Sequence, residues 1–405
     1  MATDLLTSTA VGETDDKKPR PKRWRRYLLR AFLASILVVA GLWIAAHRFP
    51  VVGSTLADGL RAVIGTERVS RLQDFVYGLR DRYNRATRSD EAPKAYWDVP
   101  PPVIPTVTAT ATSTGPPPIV FSPKDVGPVH KGLKAEGDGV WVPVPDPVGA
   151  APVMYKTLLH PDAKRPWAEM FVVALDLRQI DLSWKLGTGE PRATTAEGRK
   201  VQRRGLIPTG EQPQLIAGFN GGFKLQHGRW GAGLGAATVV RPRVHGCTVA
   251  KTKDGKLLID RWPDIEPLQP ELVWWRQTPP CMFHDGKRHG ALWDPNAKGW
   301  GATLEGGTVI RRSAIGLSPD RQTLFVGVTN DTAAYVLADG MNHAGANQVA
   351  QLDVNWSYPR FVVFPIEGGL RKTKSLFEGF EVKEDAYLRS PMHRDFFYVT
   401  RRPPG

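Results

Sequence analysis

The amino-acid sequence predicts an α+β fold, with a large mixed β-sheet domain and flanking helices, preceded by a single N-terminal transmembrane helix. Three observations predict it. Short apolar runs rich in β-branched and aromatic residues recur along the second half of the chain. Apolar residues at helical spacing are confined to a few segments, and one uncharged stretch near the start follows a block of basic residues. With 405 residues, the chain is long enough for a sizeable core and additional segments.

The N-terminal segment predicts the compartment. Residues 1–26 are predicted as a basic cytoplasmic tail, and eight residues from Lys17 to Arg30 are basic with no acid among them. The uncharged stretch Ala31–Ala46 follows, so we predict a transmembrane signal anchor at 27–47. Basic residues before the span place the amino terminus in the cytoplasm and the C-terminal domain in the periplasm or outside the cell. A cleaved signal peptide is the alternative.

Two segments separate the anchor from the main domain. Apolar residues recur at helical spacing over 52–90, which predicts one or two amphipathic helices with a break near Gly65. Such a segment could lie on the bilayer, self-associate, form a stalk or dock on the main domain. Residues 95–150 are predicted as a Pro/Thr-rich linker, because 99–118 contains seven prolines and five threonines and favours extended polyproline backbone.

Residues 151–405 are predicted to form the main domain. A helix is expected at about 333–344, with Gly345 in position to end it. Strands outnumber helices, which is typical of an α+β domain. The runs that predict buried strands are 171–177, 215–219, 324–329, 360–366 and 396–400.

Composition and motifs exclude several classes of protein. The formal net charge is +14, but the charge is spread along the chain and no nucleic-acid recognition motif is present, so nucleic acid is not a predicted partner. The sequence contains no HExxH, CxxC, Walker or GxGxxG motif, and its nine histidines show no ligand spacing, so we predict neither a metal nor a cofactor. An extracytoplasmic location would permit a disulfide between Cys247 and Cys281, with two buried free thiols as the alternative.

The first motif that could carry chemistry is LIAGFNGGF at 215–223. Asn-Gly between apolar runs is the usual signal for a tight hairpin turn. The same residues could serve a ligand, because Asn220 can present its amide while Gly221 and Gly222 allow a close approach to the backbone. The two interpretations are compatible.

Two further motifs supply charged side chains. The segment RRSAIG at 311–316 contains Arg312, which could be a solvated edge residue or a bidentate clamp on a phosphate. The segment QLDVNWS at 351–357 places Asp353 after an apolar approach, where a carboxylate could act in catalysis or simply form a turn. Asn355 follows in the same loop, and Asp331 after the apolar run at 324–329 is a second carboxylate candidate.

In their order and spacing, these motifs resemble the phosphodiester glycosidase family. Its members carry a strand that ends in an Asn-Gly-Gly-Phe-like turn, then an Arg-x-Ala-x-Gly segment, a strand that ends at an Asp and a Leu-Asp-Gly-Gly-rich loop. The resemblance covers roughly 155–400 and is carried by FNGGF at 219–223, RSAIG at 312–316, LFVGVTND at 324–331 and QLDVNWS at 351–357.

The resemblance implies a hydrolase that cleaves a sugar-1-phosphodiester in an anionic, phosphate-linked glycan or glycolipid, and the predicted anchor would make it membrane-anchored and extracytoplasmic. It implies catalytic roles for Asp353 and Asp331. Substrate-binding roles would fall to Asn220, Gly221, Gly222, Arg312 and Asn355. The chain departs from the family where 354–356 reads Val-Asn-Trp instead of a glycine-rich loop. That departure motivates the alternative expectation, a catalytically lapsed glycan-binding or envelope scaffold protein of the same fold.

Overall fold

A computed structural model describes residues 63–99, 119–148, 151–293, 300 and 308–402, together with scattered positions between 27 and 60. The chain divides into two compact units, Met1–Gly65 and Thr66–Gly405. The predicted basic tail and most of the predicted anchor at 27–47 lie outside the described residues; the anchor positions that are described are helical and exposed. Within the described part of the chain, no helix is both long enough and apolar enough to cross a membrane.

The second unit contains few helices. In its described part these are α1 (Thr66–Thr87), α2 (Ala196–Lys200), α3 (Trp262–Ile265) and α4 (Ala334–His343), with 3-10 turns at Thr209–Gln214, Glu266–Glu271 and Gly290–Trp293. The strands of the first half of this unit are β1 (Val142–Pro143), β2 (Met154–Leu159), β3 (Met170–Asp176), β4 (Ile180–Lys185), β5 (Leu215–Asn220), β6 (Ala232–Leu234), β7 (Ala237–Val240), β8 (Cys247–Thr252), β9 (Leu257–Arg261) and β10 (Leu272–Thr278). Those of the second half are β11 (Phe283–His284), β12 (Lys287–Arg288), β13 (Ser313–Leu317), β14 (Thr323–Thr329), β15 (Gln348–Gln351), β16 (Phe361–Val363), β17 (Ile366–Glu367), β18 (Leu370–Arg371), β19 (Lys374–Ser375) and β20 (Phe396–Arg401).

The strands form three main sheets and one small hairpin. The largest sheet has eight strands in the order β1-β2-β3-β14-β13-β15-β11-β12, and two five-stranded sheets have the orders β7-β6-β10-β8-β9 and β19-β16-β5-β20-β4. Every strand pair in the described residues is antiparallel, as in β3–β14 and β5–β20. The expectation of one large mixed sheet is therefore wrong, although the α+β class is correct. Parallel neighbours need long crossovers, usually helical, and this chain has few helices to provide them.

The main core lies between the three sheets, and β3 shows why its sequence is apolar throughout. Alternate residues from Phe171 to Leu175 face the central core, whereas those from Met170 to Ala174 face a second core that includes α4. Side chains alternate across a strand, so a strand covered on both faces needs an unbroken apolar run. The predicted strands are found as β3, β5, β14, β16 and β20, although β16 is shorter than the predicted 360–366. The predicted helix at 333–344 is found as α4, and Gly345 adopts φ 112° just after it.

A disulfide bond joins Cys247 and Cys281, which answers the question that the sequence left open. Cys247 begins β8 and pairs with Thr278 at the end of β10, while Met282 donates its backbone N–H to Val349 in the largest sheet. The bond therefore ties one five-stranded sheet to the entry into the eight-stranded sheet. Closing a loop of 34 residues stabilises a fold by about 4 kcal/mol in the chain-entropy description.

Part of the predicted linker at 95–150 packs on the domain. Phe121 and Trp141 are buried against the second core, and Tyr96 meets Phe171 edge to face at 5.1 Å between ring centroids. The parts of the predicted linker at 95–99 and 119–148 therefore pack on the domain instead, and residues 100–118 lie outside the described residues.

Helix α1 docks on the domain, which is one of the four arrangements that its amphipathic sequence allowed. It begins directly after Gly65, whose φ is 88°. Arg165 donates two hydrogen bonds to the Asp81 carboxylate, at 2.7 and 2.8 Å, and Thr308 donates one to Asp74 at 2.6 Å. Polar contacts therefore hold the helix in place.

Candidate active site

The predicted motifs meet where two sheets join. Asn220 ends β5 and donates its amide N–H to Ser313 Oγ, 2.8 Å away, at the start of β13. Ser313 Oγ in turn donates to the carbonyl of Asp353 at 2.9 Å. The backbone N–H of Asp353 donates to the carbonyl of Gly221 at 3.1 Å. These bonds bring three motifs that are far apart in the sequence into one cluster.

Asn220 is buried, and both ends of its amide bond to the protein. Its Oδ1 accepts from the backbone N–H of Arg360 at 3.1 Å, while its Nδ2 donates to Ser313. This side chain thus ties β5 to β13 and to the segment that enters β16. Asn220 therefore holds β5, β13 and the start of β16 in position relative to one another.

Gly221 and Gly222 do not form the tight hairpin turn that the sequence also allowed. The strand before them, β5, pairs with β16 and β20, and not with the next strand along the chain. A Cβ at position 221 would lie 2.3 Å from the carbonyl oxygen of Asp395, and one at position 222 would lie 2.8 Å from Nη2 of Arg276. Glycine is needed here because backbone and guanidinium approach so closely.

Asp395 and Arg276 form a buried ion pair next to these glycines. Asp395 Oδ2 accepts from Arg276 Nε at 2.9 Å, from Trp184 Nε1 at 3.0 Å and from the backbone N–H of Gly222 at 3.1 Å. Its other oxygen, Oδ1, is buried and has no hydrogen-bond partner among the described residues. None of the predicted motifs contains this pair, although the sequence carries one signal for it: Arg276 lies in a largely apolar strand, where a charge must find a partner.

Asp353 is buried beside this pair and contacts the guanidinium of Arg394. Burial raises the pKa of Asp353 to about 6; Arg394 opposes the rise and neighbouring Asp395 adds to it. Asn355 donates its amide N–H to Asp353 Oδ2 at 3.1 Å. A carboxyl group with a pKa near neutrality is suited to gaining and losing a proton under physiological conditions.

Tyr358 supports the two acidic residues from the loop that follows Asp353. Its hydroxyl donates to the carbonyl of Asp395 at 2.5 Å, and its ring lies 4.0 Å from the guanidinium carbon of Arg394. Asn355 Oδ1 accepts from the backbone N–H of Tyr358 at 2.6 Å and so closes the loop as a local turn. Arg394 and Tyr358 were also missed, because neither belongs to the motifs that the sequence suggested.

Arg312 is placed differently from the phosphate clamp that the sequence suggested. It is buried, and its guanidinium donates to the backbone carbonyls of Thr332 at 2.9 Å, Thr308 at 2.7 Å and Trp300. Burial lowers the pKa of Arg312 to about 9, and Asp74 on α1 opposes that shift. These contacts hold three chain segments together and direct the guanidinium to the protein instead of to a ligand.

Asp331 lies in a small cavity of about 70 Å³. Its carboxylate approaches Arg80 of α1 to 3.7 Å, and no hydrogen bond or ion pair joins it to Asp353 in the described part of the chain. The cavity is lined by Tyr77, Arg80, Val309, Ile310, Arg311, Asn330, Asp331 and Trp356. Trp356 belongs to the same loop as Asp353, so one loop connects the buried carboxylates to the cavity.

The electrostatics of the cavity favour an anion. The pKa of Arg311 is lowered to about 10, mainly by burial; nearby Arg360 and Arg80 contribute to the lowering, and Asp331 opposes it. Two guanidinium groups, those of Arg80 and Arg311, thus line the cavity together with one carboxylate. Such an excess of arginine is well suited to phosphate, which arginine can bind through two parallel hydrogen bonds.

A larger cleft holds none of the predicted site residues. Its volume is about 460 Å³, and its lining includes Leu177, Lys251 and Leu257. Size alone therefore does not identify the chemistry, and the carboxylate cluster with its basic cavity remains the candidate site. Among the described residues, no group of three or more histidine, cysteine, aspartate or glutamate side chains is placed to hold a metal ion.

No protein-family model and no curated protein sequence matches this chain. Several solved structures resemble it distantly. The catalytic domain of zebrafish N-acetylglucosamine-1-phosphodiester alpha-N-acetylglucosaminidase, auto-inhibited by its pro-peptide, has a TM-score of 0.39 and 13% identity, over 65% of this chain and 88% of that one. A hypothetical protein from Synechocystis has a TM-score of 0.30 and 10% identity, over 58% of this chain and 59% of that one. An exported protein from Burkholderia pseudomallei has a TM-score of 0.28 and 12% identity, over 64% and 76%.

Proposed function

We propose that this protein is an extracytoplasmic hydrolase that cleaves a sugar-1-phosphodiester in a phosphate-linked glycan or glycolipid. The observation that carries the proposal is the pairing of a buried carboxyl group of raised pKa, Asp353, with a cavity rich in arginine that is joined to it by one loop. The order of the sequence motifs supports the same chemistry.

The reaction needs negative charge on the phosphate to be stabilised and a group that activates water or attacks the sugar. The bond between the anomeric carbon and the phosphate oxygen breaks, and the phosphate leaves as a weak base. In the proposal, Arg311 binds the phosphate, and Asp353 acts as the base or nucleophile at the anomeric carbon. Arg276 and Trp184 hold the Asp395 carboxylate in place next to Asp353, where it adds to the rise in the pKa of Asp353.

Substrate entry requires α1 to move. A cavity of about 70 Å³ is much smaller than the roughly 300–1,000 Å³ of pockets that enclose a whole ligand. Tyr77 and Arg80 of α1 form part of its wall, so displacement of the helix would enlarge it toward solvent. The docked helix therefore corresponds to a closed form of the proposed site.

The decisive experiment is the substitution Asp353→Asn in the full chain. We expect the rate of hydrolysis of a synthetic sugar-1-phosphate diester to fall by at least about 100-fold. The assay measures this rate as the release of reducing sugar. A cooperative unfolding transition in urea would show that the variant is folded. Full activity in a folded Asp353→Asn protein would remove this residue from the mechanism, and the matched variant Asp331→Asn tests the second predicted carboxylate.

A non-catalytic glycan-binding or scaffold protein is the second candidate. Two observations favour it: Asp353 is only 1% exposed, and it already contacts Arg394. Glycan binding by the purified protein without any release of reducing sugar, both in the wild type and after loosening of α1, would support this candidate over the hydrolase.

We also propose that residues 27–47 anchor the protein in a membrane with the C-terminal domain outside the cytoplasm. The basic block before the uncharged stretch supports this orientation. Protease should cleave the domain but spare the N-terminal tail when it is added to cells whose outer layers are permeabilised and whose cytoplasmic membrane is intact. Recovery of the whole chain in the supernatant after ultracentrifugation would contradict the proposal.

A further inference from the structure

Helix α1 is amphipathic in an unusual sense, because the face that contacts the domain is mostly polar, although Val69 is buried there as well. Asp74 and Asp81 bind Thr308 and Arg165, and Arg80 approaches Asp331. Most amphipathic helices on a globular domain bury the apolar face instead. The domain therefore does not cover the opposite face of α1.

That opposite face is apolar and exposed. Four large side chains at spacings of three, four and four residues lie on one side of the helix, as the 3.6-residue period requires. Their exposed fractions are 52% for Leu72, 59% for Phe75, 46% for Leu79 and 68% for Tyr83. We call this set the outer stripe. At about 1.5 Å per residue it extends over roughly 17 Å of the helix.

Exposed arginines flank the outer stripe. Arg68, Arg71 and Arg82 fall beside it on the helical wheel, and Glu67 is the acidic residue that pairs with Arg71. A second copy of the chain seated on this stripe would bring arginines against arginines. An anionic lipid surface would attract the same arginines and accept the apolar side chains.

We propose that the outer stripe of α1 lies on an anionic lipid surface, with Phe75 and Tyr83 at the level of the headgroups and the arginines against lipid phosphates. An apolar face fringed by basic residues is the pattern of helices that lie in the plane of a membrane interface. The inference does not depend on catalysis, since it concerns the face of α1 that points away from the candidate site.

The test places a fluorescent label on the outer stripe of the full chain in vesicles. The two native cysteines are joined in a disulfide, so a cysteine introduced at position 79 is the one free thiol available for labelling. The protein Leu79→Cys is compared with the control Val244→Cys, whose position is also highly exposed but lies outside the helix. Both proteins contain the predicted anchor, so a difference between them does not arise from tethering. The vesicles are phosphatidylcholine alone or mixed with phosphatidylglycerol.

We expect the label at position 79, and not that at 244, to shift its emission to the blue and to be quenched by nitroxide-labelled lipid when phosphatidylglycerol is present. Arg68→Gln and Arg82→Gln should each weaken this insertion by about five-fold in the anionic vesicles and leave it unchanged in neutral ones. Equal exposure of both labels to water would overturn the proposal. Burial of the label that rises with protein concentration and ignores lipid would also overturn it, in favour of a second copy on the stripe.

Discussion

Arg276 and Asp395 lie 119 residues apart in the sequence, yet Arg276 Nε is 2.9 Å from Asp395 Oδ2 in the interior. Both side chains are almost completely buried. Breaking a buried pair leaves a charge without a partner, so Arg276→Met should lower the free energy of unfolding by about 3–5 kcal/mol. Urea denaturation measures this loss. The control Arg261→Met breaks an exposed pair with Asp264 and should cost less than about 1 kcal/mol. Equal losses in the two variants would show that the buried pair has no special role.

The close approach at position 221 gives a second prediction. Gly221→Ala places a methyl group against the backbone carbonyl of Asp395, which cannot move without distorting β20. We expect destabilisation of about 1–3 kcal/mol, measured by thermal unfolding. Gly210→Ala is the matched control, because nothing lies within 4 Å of a Cβ there and its stability should change by less than about 1 kcal/mol. A neutral Gly221→Ala would indicate that the contact is looser than the structure shows.

The raised pKa of Asp353 predicts a pH dependence of activity. If Asp353 acts as a base or nucleophile, it must be ionised, so turnover should rise with pH through about 6. The Arg394 guanidinium holds the pKa of Asp353 lower than burial alone would, so Arg394→Gln should move the acidic limb of the pH–rate profile to higher pH. A limb that stays in place, or moves to lower pH, would argue against Asp353 as the titrating group.

The same group predicts how stability varies with pH. The pKa of Asp353 is about 6 in the folded protein and 3.8 in its ordinary environment. Below about pH 4, Asp353 is protonated in both the folded and the unfolded state. Between about pH 4 and pH 6, it is ionised in the unfolded chain but still protonated in the folded protein. Stability should therefore fall by about 3 kcal/mol as pH rises through this range and then level off. Asp353→Asn should remove that slope in urea denaturation series, and persistence of the slope would assign it to other groups.

Docking of α1 through Asp81 predicts how access to the cavity is controlled. Asp81→Asn removes a carboxylate that accepts two hydrogen bonds from Arg165, so the undocked helix should become about ten-fold or more populated. We expect faster hydrogen exchange in α1 and, under the proposed function, faster turnover. Glu67→Gln is the control, since it removes one negative charge from an exposed pair on the same helix. Faster exchange without any gain in turnover would separate helix docking from access.

The predictions made from the sequence succeeded where the signal is local. Strand β3 was recognisable because both of its faces are buried and every residue is therefore apolar. The pairing of strands was not recognisable, because nothing local to β5 indicates that its neighbours are β16 and β20 and not β6. The expectation of a mixed sheet was wrong because the sequence does not show which strands pair.

The candidate site divides in the same way. Asp353 follows a buried strand and could be singled out from its own surroundings. Asp395 and Arg276 acquire their roles only through each other, across a distance that sequence spacing does not encode. Arg312 was singled out over Arg311, although Arg312 donates to several backbone carbonyls, whereas Arg311 donates to the carbonyl of Gly379 and also lines the cavity. Both residues directly precede β13, so a difference of one position in the sequence decides between the two roles.

The packing of two glycines against Arg276 and Asp395 has a consequence for ancestry. A side chain at 221 would collide with the peptide carbonyl of residue 395, which every residue type presents, whereas one at 222 would collide with the guanidinium at 276. Divergent descendants of the same gene should therefore keep the glycine at 221, and should keep or replace positions 222, 276 and 395 as a set because Arg276 is also paired with Asp395. Their joint retention would mark kinship in sequences that share little else with this one.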